Sequence, residues 1–360
     1  MLSHQSLPSL SWRSRLDGLI AVGRTHRWLI IRLAVSACLV TLLLSTRDFG
    51  QVMRILAEAR PLPLLAAAGL FFVGLVVSAC RWRLVLGACN PERPSILSLA
   101  RLVFIGMFFN LFLPSTVGGD VVRAELTKTY LRGRIESYSC VLFDRFIAFN
   151  SILVISFSAA VIARLYLGWF HPYVLAIWLV FFCAGAGFVV TVLWFPAHLV
   201  PDWGRRGIVG VAYRLFEQAQ CALRSFMVDV SLVGRMLLLA IAVQVVGLIL
   251  PVWLLAVGLG MEVPLLFHLI AVPIIELVSL VPVSFNGIGL RETAYVLFYA
   301  GAGVTPEAAI ALSFAYTMLL FTSGLFGGLC WLWPGLYVRG RRGRFATIPS
   351  SRSVECPRGG

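Results

Sequence analysis

Leu113-Pro-Ser-Thr-Val-Gly-Gly-Asp-Val-Val-Arg123 and Val281-Pro-Val-Ser-Phe-Asn-Gly-Ile-Gly-Leu-Arg-Glu292 decide the fold. Both carry the spacing Pro-x4-Gly-x3-Arg: Pro114, Gly119 and Arg123 in the first, Pro282, Gly287 and Arg291 in the second. Each follows a long apolar run and sets helix breakers, then charge, where a membrane helix would continue. Paired interruptions in two halves of a hydrophobic chain point to a transport site built from broken helices. Gly and Pro are common in membrane helices, so the spacing needs independent support. Charge topology supplies it.

The chain has 360 residues, 59% hydrophobic and 13% charged, with mean hydropathy +0.91. A soluble protein needs more polar surface than that. Apolar runs of membrane-spanning length recur at 28–45, 63–86, 96–113, 138–165, 172–195, 232–258, 264–281 and 307–333. They predict one helical membrane domain over 28–335, a basic cytosolic segment over 1–27, and a basic, disordered cytosolic tail over 336–360. The first run lacks a small-residue cleavage site and reads as a retained span. The net charge of +14 is spread over loop ends without an aromatic-interleaved basic module, which excludes nucleic acid as a partner. Eight cysteines without a C-x-x-C pair and five scattered histidines give no metal or cofactor pattern. No P-loop, G-x-S-x-G or H-E-x-x-H occurs, so the chain reads as a non-enzyme with no catalytic residues.

If all eight runs cross from a cytosolic amino terminus, basic residues divide almost evenly between the two sides, against the positive-inside rule. If 96–113 and 264–281 instead turn back at the Pro/Gly signatures, eight residues move to the cytosol. These are Arg123, Lys128, Arg132, Arg134, Arg205, Arg206, Arg214 and Arg224. The prediction is therefore an all-α polytopic membrane protein with about six full transmembrane helices. Two oppositely oriented re-entrant hairpins complete an inverted repeat, and both termini are cytosolic. Leu102–Leu113 would give about 18 Å of helix, close to half a bilayer. The polar return limb 121–134 must face protein or a wet cavity. Segment 208–228 reads as a cytosolic amphipathic helix.

At each turn a new helix begins, and its first N–H groups attract anions. Asp120 is positioned to cap the first helix, and Asn286 or the glycines shape the second turn. Arg123 and Arg291 lie about one turn farther on, where a guanidinium can contact a phosphate. The candidate substrate-binding residues of the first half are Asn110, Pro114, Ser115, Gly118, Gly119, Asp120, Arg123, Asp144 and Arg145. Those of the second are Glu276, Pro282, Ser284, Asn286, Gly287, Gly289, Arg291 and Glu292. A structural alternative pairs Asp120 with Arg123, and Arg291 with Glu292 or Glu276, to hold the hairpins. Asp144-Arg145 reads as a self-neutralising pair or as a wall of the cytosolic entrance. Arg81 and Arg83 flanking Trp82 read as an interfacial anchor.

Asn110-Leu-Phe-Leu-Pro-Ser-Thr-Val-Gly-Gly-Asp-Val-Val-Arg123, Asp144-Arg145 and Pro282-Val-Ser-Phe-Asn-Gly-Ile-Gly-Leu-Arg-Glu292 resemble the flippase-like transmembrane region of lysylphosphatidylglycerol synthases. The resemblance spans about 28–335 and implies a lipid-translocating or lipid-handling membrane protein. Phe285-Asn286 stands where the family often has Pro-Gly. The family's soluble transferase domain is absent from this sequence, which implies that the chain does not synthesise lysylphosphatidylglycerol by itself. The expectation is a multi-pass lipid transporter of the bacterial inner membrane. Its partners are membrane lipids, an anionic phospholipid or polyprenyl phosphate, with a lipid-modifying enzyme as a further candidate. The alternatives are an integral-membrane enzyme or enzyme subunit in lipid or lipid-linked glycan modification, and a scaffold for a lipid synthase.

Overall fold

The computed structural model describes residues 34–39, 41–42, 45, 48–90, 94–112, 118–131, 133–167, 229–281 and 283–332. It also describes scattered positions between 176 and 190, and Gln220. The terminal segments 1–27 and 336–360, the segment 208–228 expected to form an amphipathic helix except for Gln220, and Pro114, Ser115 and Pro282 lie outside the described residues.

Every described element is a helix, as a lipid-facing backbone requires, because each N–H must be satisfied within its own segment. A short helix α1 spans Phe49–Ala57, with the Asp48 carboxylate accepting the Gln51 N–H at its start. Then come α2 (Pro61–Cys89), α3 (Ile96–Phe112), α4 (Gly118–Thr127) and α5 (Arg134–Leu167). The second half comprises α6 (Val230–Gly258), α7 (Leu265–Ser279), α8 (Leu290–Ala300) and α9 (Pro306–Leu332). Helices α2, α5, α6 and α9 are long and apolar enough to cross a membrane. The other two expected spans, 28–45 and 172–195, lie partly outside the described residues.

Helix α3 stops at Phe112 and α7 at Ser279, and each is followed by a short helix, α4 and α8. Helix α3 has 17 residues and α7 has 15, about 25 and 22 Å of helix, short of a hydrocarbon core of roughly 30 Å. Helix α3 is thus longer than the half-bilayer estimate, because it begins at Ile96. Helix α1 is an element the apolar runs do not announce. Its Val52 buries against Ile310 and Ala311 of α9.

The packing of the two halves is reciprocal. Helix α3 lies antiparallel on α9, with Arg101 bonding the Cys330 carbonyl at one end and Leu111 meeting Gly324 at the other. Helix α7 lies antiparallel on α5, with Ile270 and Ile274 against Ala163 and Ala159, and Leu277 against Ile152 and Leu153. Helices α2 and α6 pair with each other, antiparallel, and cross at Gly74 and Gly247. A Cβ on Gly74 would stand 2.2 Å from the Gly247 Cα. Small residues carry such crossings because lipid tails are as apolar as Leu, which leaves close packing to hold helices together. Gly247 sits in a π-turn, Val245–Ile249, that locally widens α6 at the crossing.

Candidate functional site

The first turn is held by a contact between the hairpin's own limbs. The Gly119 N–H donates to Asn110 Oδ1 at 2.7 Å, so a side chain of α3 satisfies a free donor at the start of α4. Only glycine fits there, since a Cβ on Gly119 would stand 2.1 Å from the Gly106 carbonyl oxygen. Among the described residues Asp120 accepts no backbone N–H, so the capping role passes to Asn110.

Asp120 instead faces Arg145, whose Nη2 donates to Oδ1 at 2.6 Å while its Nε approaches Oδ2 at 2.5 Å. Asp144 points inward and takes two guanidiniums. Arg81 donates through Nε at 2.8 Å and Nη2 at 3.1 Å, a bidentate grip, and Arg123 Nη2 donates at 2.9 Å. Arg123 also lies 3.9 Å from Asp120, and its guanidinium covers the Trp82 ring at 4.2 Å. Arg81, Asp120, Arg123 and Asp144 are all buried. Three arginines against two aspartates leave one formal positive charge, and Arg81 Nη1 and Arg123 Nε have no partner among the described residues.

Two readings from the sequence are corrected here. Asp144 and Arg145 are not a mutual pair, because neighbours on a helix point in different directions. Asp144 is buried, whereas the Arg145 side chain is half exposed. Arg81 and Trp82 are not an interfacial anchor but the buried floor of this cluster. Sequence reasoning missed Arg81 as a member; a cation deep inside an apolar run was the signal available. The return limb does face protein, as its polarity demands. Thr127 Oγ1 contacts Ser137 Oγ at 2.8 Å, and Ser137 Oγ donates to the Ala124 carbonyl at 2.6 Å. At its end Glu125 is bridged by Lys128 and by Arg134.

The second turn is shaped by backbone conformation. Asn286 takes φ 50° and ψ 29°, and Gly287 and Gly289 take φ 78° and 83°. Side chains other than Asn are disfavoured in this left-handed region, and glycine enters it freely. Gly289 also abuts the amino-terminal helical segment, where a Cβ would come within 2.7 Å of Leu39. Glu292 reaches back to the Gly289 N–H at 2.6 Å and accepts Ser313 Oγ at 3.2 Å, so it caps α8 and ties it to α9.

Arg291 is buried and makes no ion pair within 4 Å among the described residues, so the expected bridge to Glu276 or Glu292 is absent. Its guanidinium lies over the Tyr316 ring of α9, 5.6 Å from the centroid. Glu276 lies near the Tyr316 side chain and keeps Oε1 buried without a partner among the described residues. Ser284 is buried, and its hydroxyl also lacks a partner among the described residues. The two clusters are joined by no hydrogen bond or ion pair among the described residues. Helix α9 lies between them, taking α3 along one side and α8 along another.

The family described as the lysylphosphatidylglycerol synthase TM region matches residues 29–328. A UPF0104 membrane protein of Methanothermobacter thermautotrophicus is 24% identical over 294 residues, 76% of this chain and 85% of that protein. A second UPF0104 membrane protein of the same archaeon is 26% identical over 142 residues, 39% of this chain and 40% of its own length. No solved structure matches. A multi-pass helical chain whose two broken helices and intervening spans all fall within residues 29–328 belongs to the lysylphosphatidylglycerol synthase transmembrane-region family.

Proposed function

We propose that the protein moves an anionic, phosphate-bearing lipid across the membrane, with the headgroup held at the first hairpin and exposed alternately to the two sides. One observation carries this reading: three arginines, Arg81 and Arg123 buried and Arg145 half exposed, gathered on only two aspartates beside the start of α4. Their surplus charge and unpartnered guanidinium nitrogens suit a phosphate. The reciprocal packing supports opposite insertion of the two hairpins; on this reading the chain crosses a bacterial inner membrane six times, with both termini in the cytosol. The family supports lipid as the cargo. The chain acts without catalysis of its own; a lipid-modifying enzyme is a fitting partner.

The test is movement between leaflets. Purified protein in liposomes should carry a labelled anionic phospholipid across faster than protein-free vesicles, and a zwitterionic one less. Spontaneous crossing is slow because the charge must pass through hydrocarbon. Arg123→Ala should remove the difference between the two lipids. No acceleration of any anionic lipid by folded protein would overturn the transport reading. A cysteine placed at Lys128 should react with an impermeant thiol reagent only from the cytosolic side, and labelling from outside would overturn the hairpin topology.

A further inference from the structure

The second hairpin carries a line of buried polar groups that the anion reading does not use. On α8, Arg291, Tyr295 and Tyr299 recur every four residues and share one face. On α7, His268 and Glu276 are eight residues apart, about two turns, on the face packed against them. The Tyr295 and Tyr299 rings stack at 5.5 Å, and the His268 ring meets Tyr299 at 5.5 Å. His268, Tyr295 and Tyr299 are fully buried. His268 Nδ1 lies 3.1 Å from the Pro264 carbonyl oxygen, which leaves Nε2 facing inward. His268 Nε2, both tyrosine hydroxyls, Glu276 Oε1 and Arg291 Nε have no partner among the described residues. Unpartnered buried polar atoms are costly and rare, and five in one file demand an explanation.

Charge tells which ion the file suits. Glu276, Glu292 and Arg291 sum to one formal negative charge, opposite to the first cluster. Glu292 is committed to its helix cap and to Ser313. Glu276 lies near Tyr316 of α9 and, on α8, near Arg291 and Tyr295. The segments of α5 and α6 packed on the hairpin, 152–163 and 245–259, contain no titratable side chain. The carboxylate therefore has one cation near it, unbridged, and one free oxygen.

We infer that the second hairpin is a proton-coupling site, in which Glu276 gains and loses a proton. A proton bound at Oε1 neutralises the carboxylate and frees Arg291 from its field. Release restores the starting charge, and no other reactant takes part. The proton site stands independently of the cargo, whereas its coupling to lipid movement rests on the transport reading above.

Two measurements on the full-length protein test this. Infrared difference spectra of the protein in liposomes, taken across a pH step, should show a protonated-carboxyl band that disappears in Glu276→Gln. Absence of that band from the wild type, or its persistence in the variant, overturns the proton site. In the second measurement, an imposed pH gradient should accelerate leaflet exchange of labelled phosphatidylglycerol several-fold in the wild type. Glu276→Gln should give equal rates with and without the gradient. A gradient-insensitive wild type, or a fully responsive Glu276→Gln, overturns the coupling. If the wild type moves no labelled lipid at all, the transport reading fails and the infrared band alone decides the proton site.

Discussion

The two hairpins share a sequence spacing and divide their chemistry. In the first, both aspartates are gripped by guanidiniums: Asp144 by Arg81 and Arg123, Asp120 by Arg145. In the second, Arg291 lies over a ring and Glu276 stays unbridged. One position accounts for much of this. Asp144 stands ten residues beyond Arg134, the first residue of α5, and Tyr316 stands ten beyond Pro306, the first of α9. Each is what its hairpin arginine meets. Aspartate at that place ties the first arginine down, whereas tyrosine gives the second a surface without a counter-charge. A repeat can thus conserve the scaffold while one side chain turns a locked cation into a movable one.

The largest expected effect tests the lock. Asp144→Ala leaves Arg81 and Arg123 buried without their carboxylate, and breaking such a pair costs about 3–5 kcal/mol. Glu276→Gln removes no ion pair within 4 Å and should cost about 1 kcal/mol or less. Thermal unfolding of the two variants in detergent should rank them in that order. Equal losses would erase the distinction between a saturated and an open cluster.

The turns differ in the same way. Gly119→Ala drives a Cβ into the Gly106 carbonyl and the Asn110 side chain, and should cost about 1–3 kcal/mol as an overpacked contact. Gly287→Ala meets nothing closer than 3.4 Å, but its φ of 78° is left-handed, with an expected cost of about 1–2 kcal/mol. A suppressor separates the causes. Asn110→Ala makes room beside position 119 and should partly rescue Gly119→Ala, measured as recovered yield of folded protein. No change elsewhere in the hairpin should rescue Gly287→Ala.

Helix placement was legible because hydrocarbon allows the backbone few options. The runs 63–86, 138–165, 232–258 and 307–333 became helices within about four residues of their ends, in line with the usual uncertainty of boundaries. The breaks after 112 and 279 were legible from Pro and Gly. Partnership was not. Asp144 and Arg145 adjoin in sequence yet face different ways, and the true partner, Arg81, is 63 residues away on α2. Spacing finds neighbours along one helix, whereas contacts between helices depend on crossing points such as Gly74 and Gly247, fixed only by three-dimensional packing. Helix α1 escaped notice because a nine-residue amphipathic segment has no apolar run to announce it.

A smaller effect is expected at Tyr316. Phenylalanine there keeps a ring beneath Arg291 and removes only the hydroxyl. With no hydrogen bond of that hydroxyl to lose among the described residues, the change should cost less than about 1 kcal/mol in the melting experiment. Tyr316→Asp rebuilds the first cluster's arrangement in the second hairpin. It should ion-pair Arg291 and raise the melting temperature relative to Tyr316→Phe; a lower value would mean that the crowding of Glu276, Glu292 and a third carboxylate outweighs the new pair.

The smallest effect is expected at Asn286, which holds φ at 50°. Glycine would relieve the mild steric cost of a side chain in the left-handed region. It would also give the unfolded chain more freedom, which works against stability by about 0.4–1 kcal/mol. The two contributions oppose each other, so Asn286→Gly should shift stability by no more than about 0.5 kcal/mol. Asn286→Val keeps a side chain but is β-branched, and should lose about 1–2 kcal/mol from the backbone conformation alone. If both variants lose stability equally, the Asn286 side chain itself holds the turn. The second hairpin would then be built as the first is, where Asn110 reaches the Gly119 N–H, and the two turns would differ only in which limb supplies the amide.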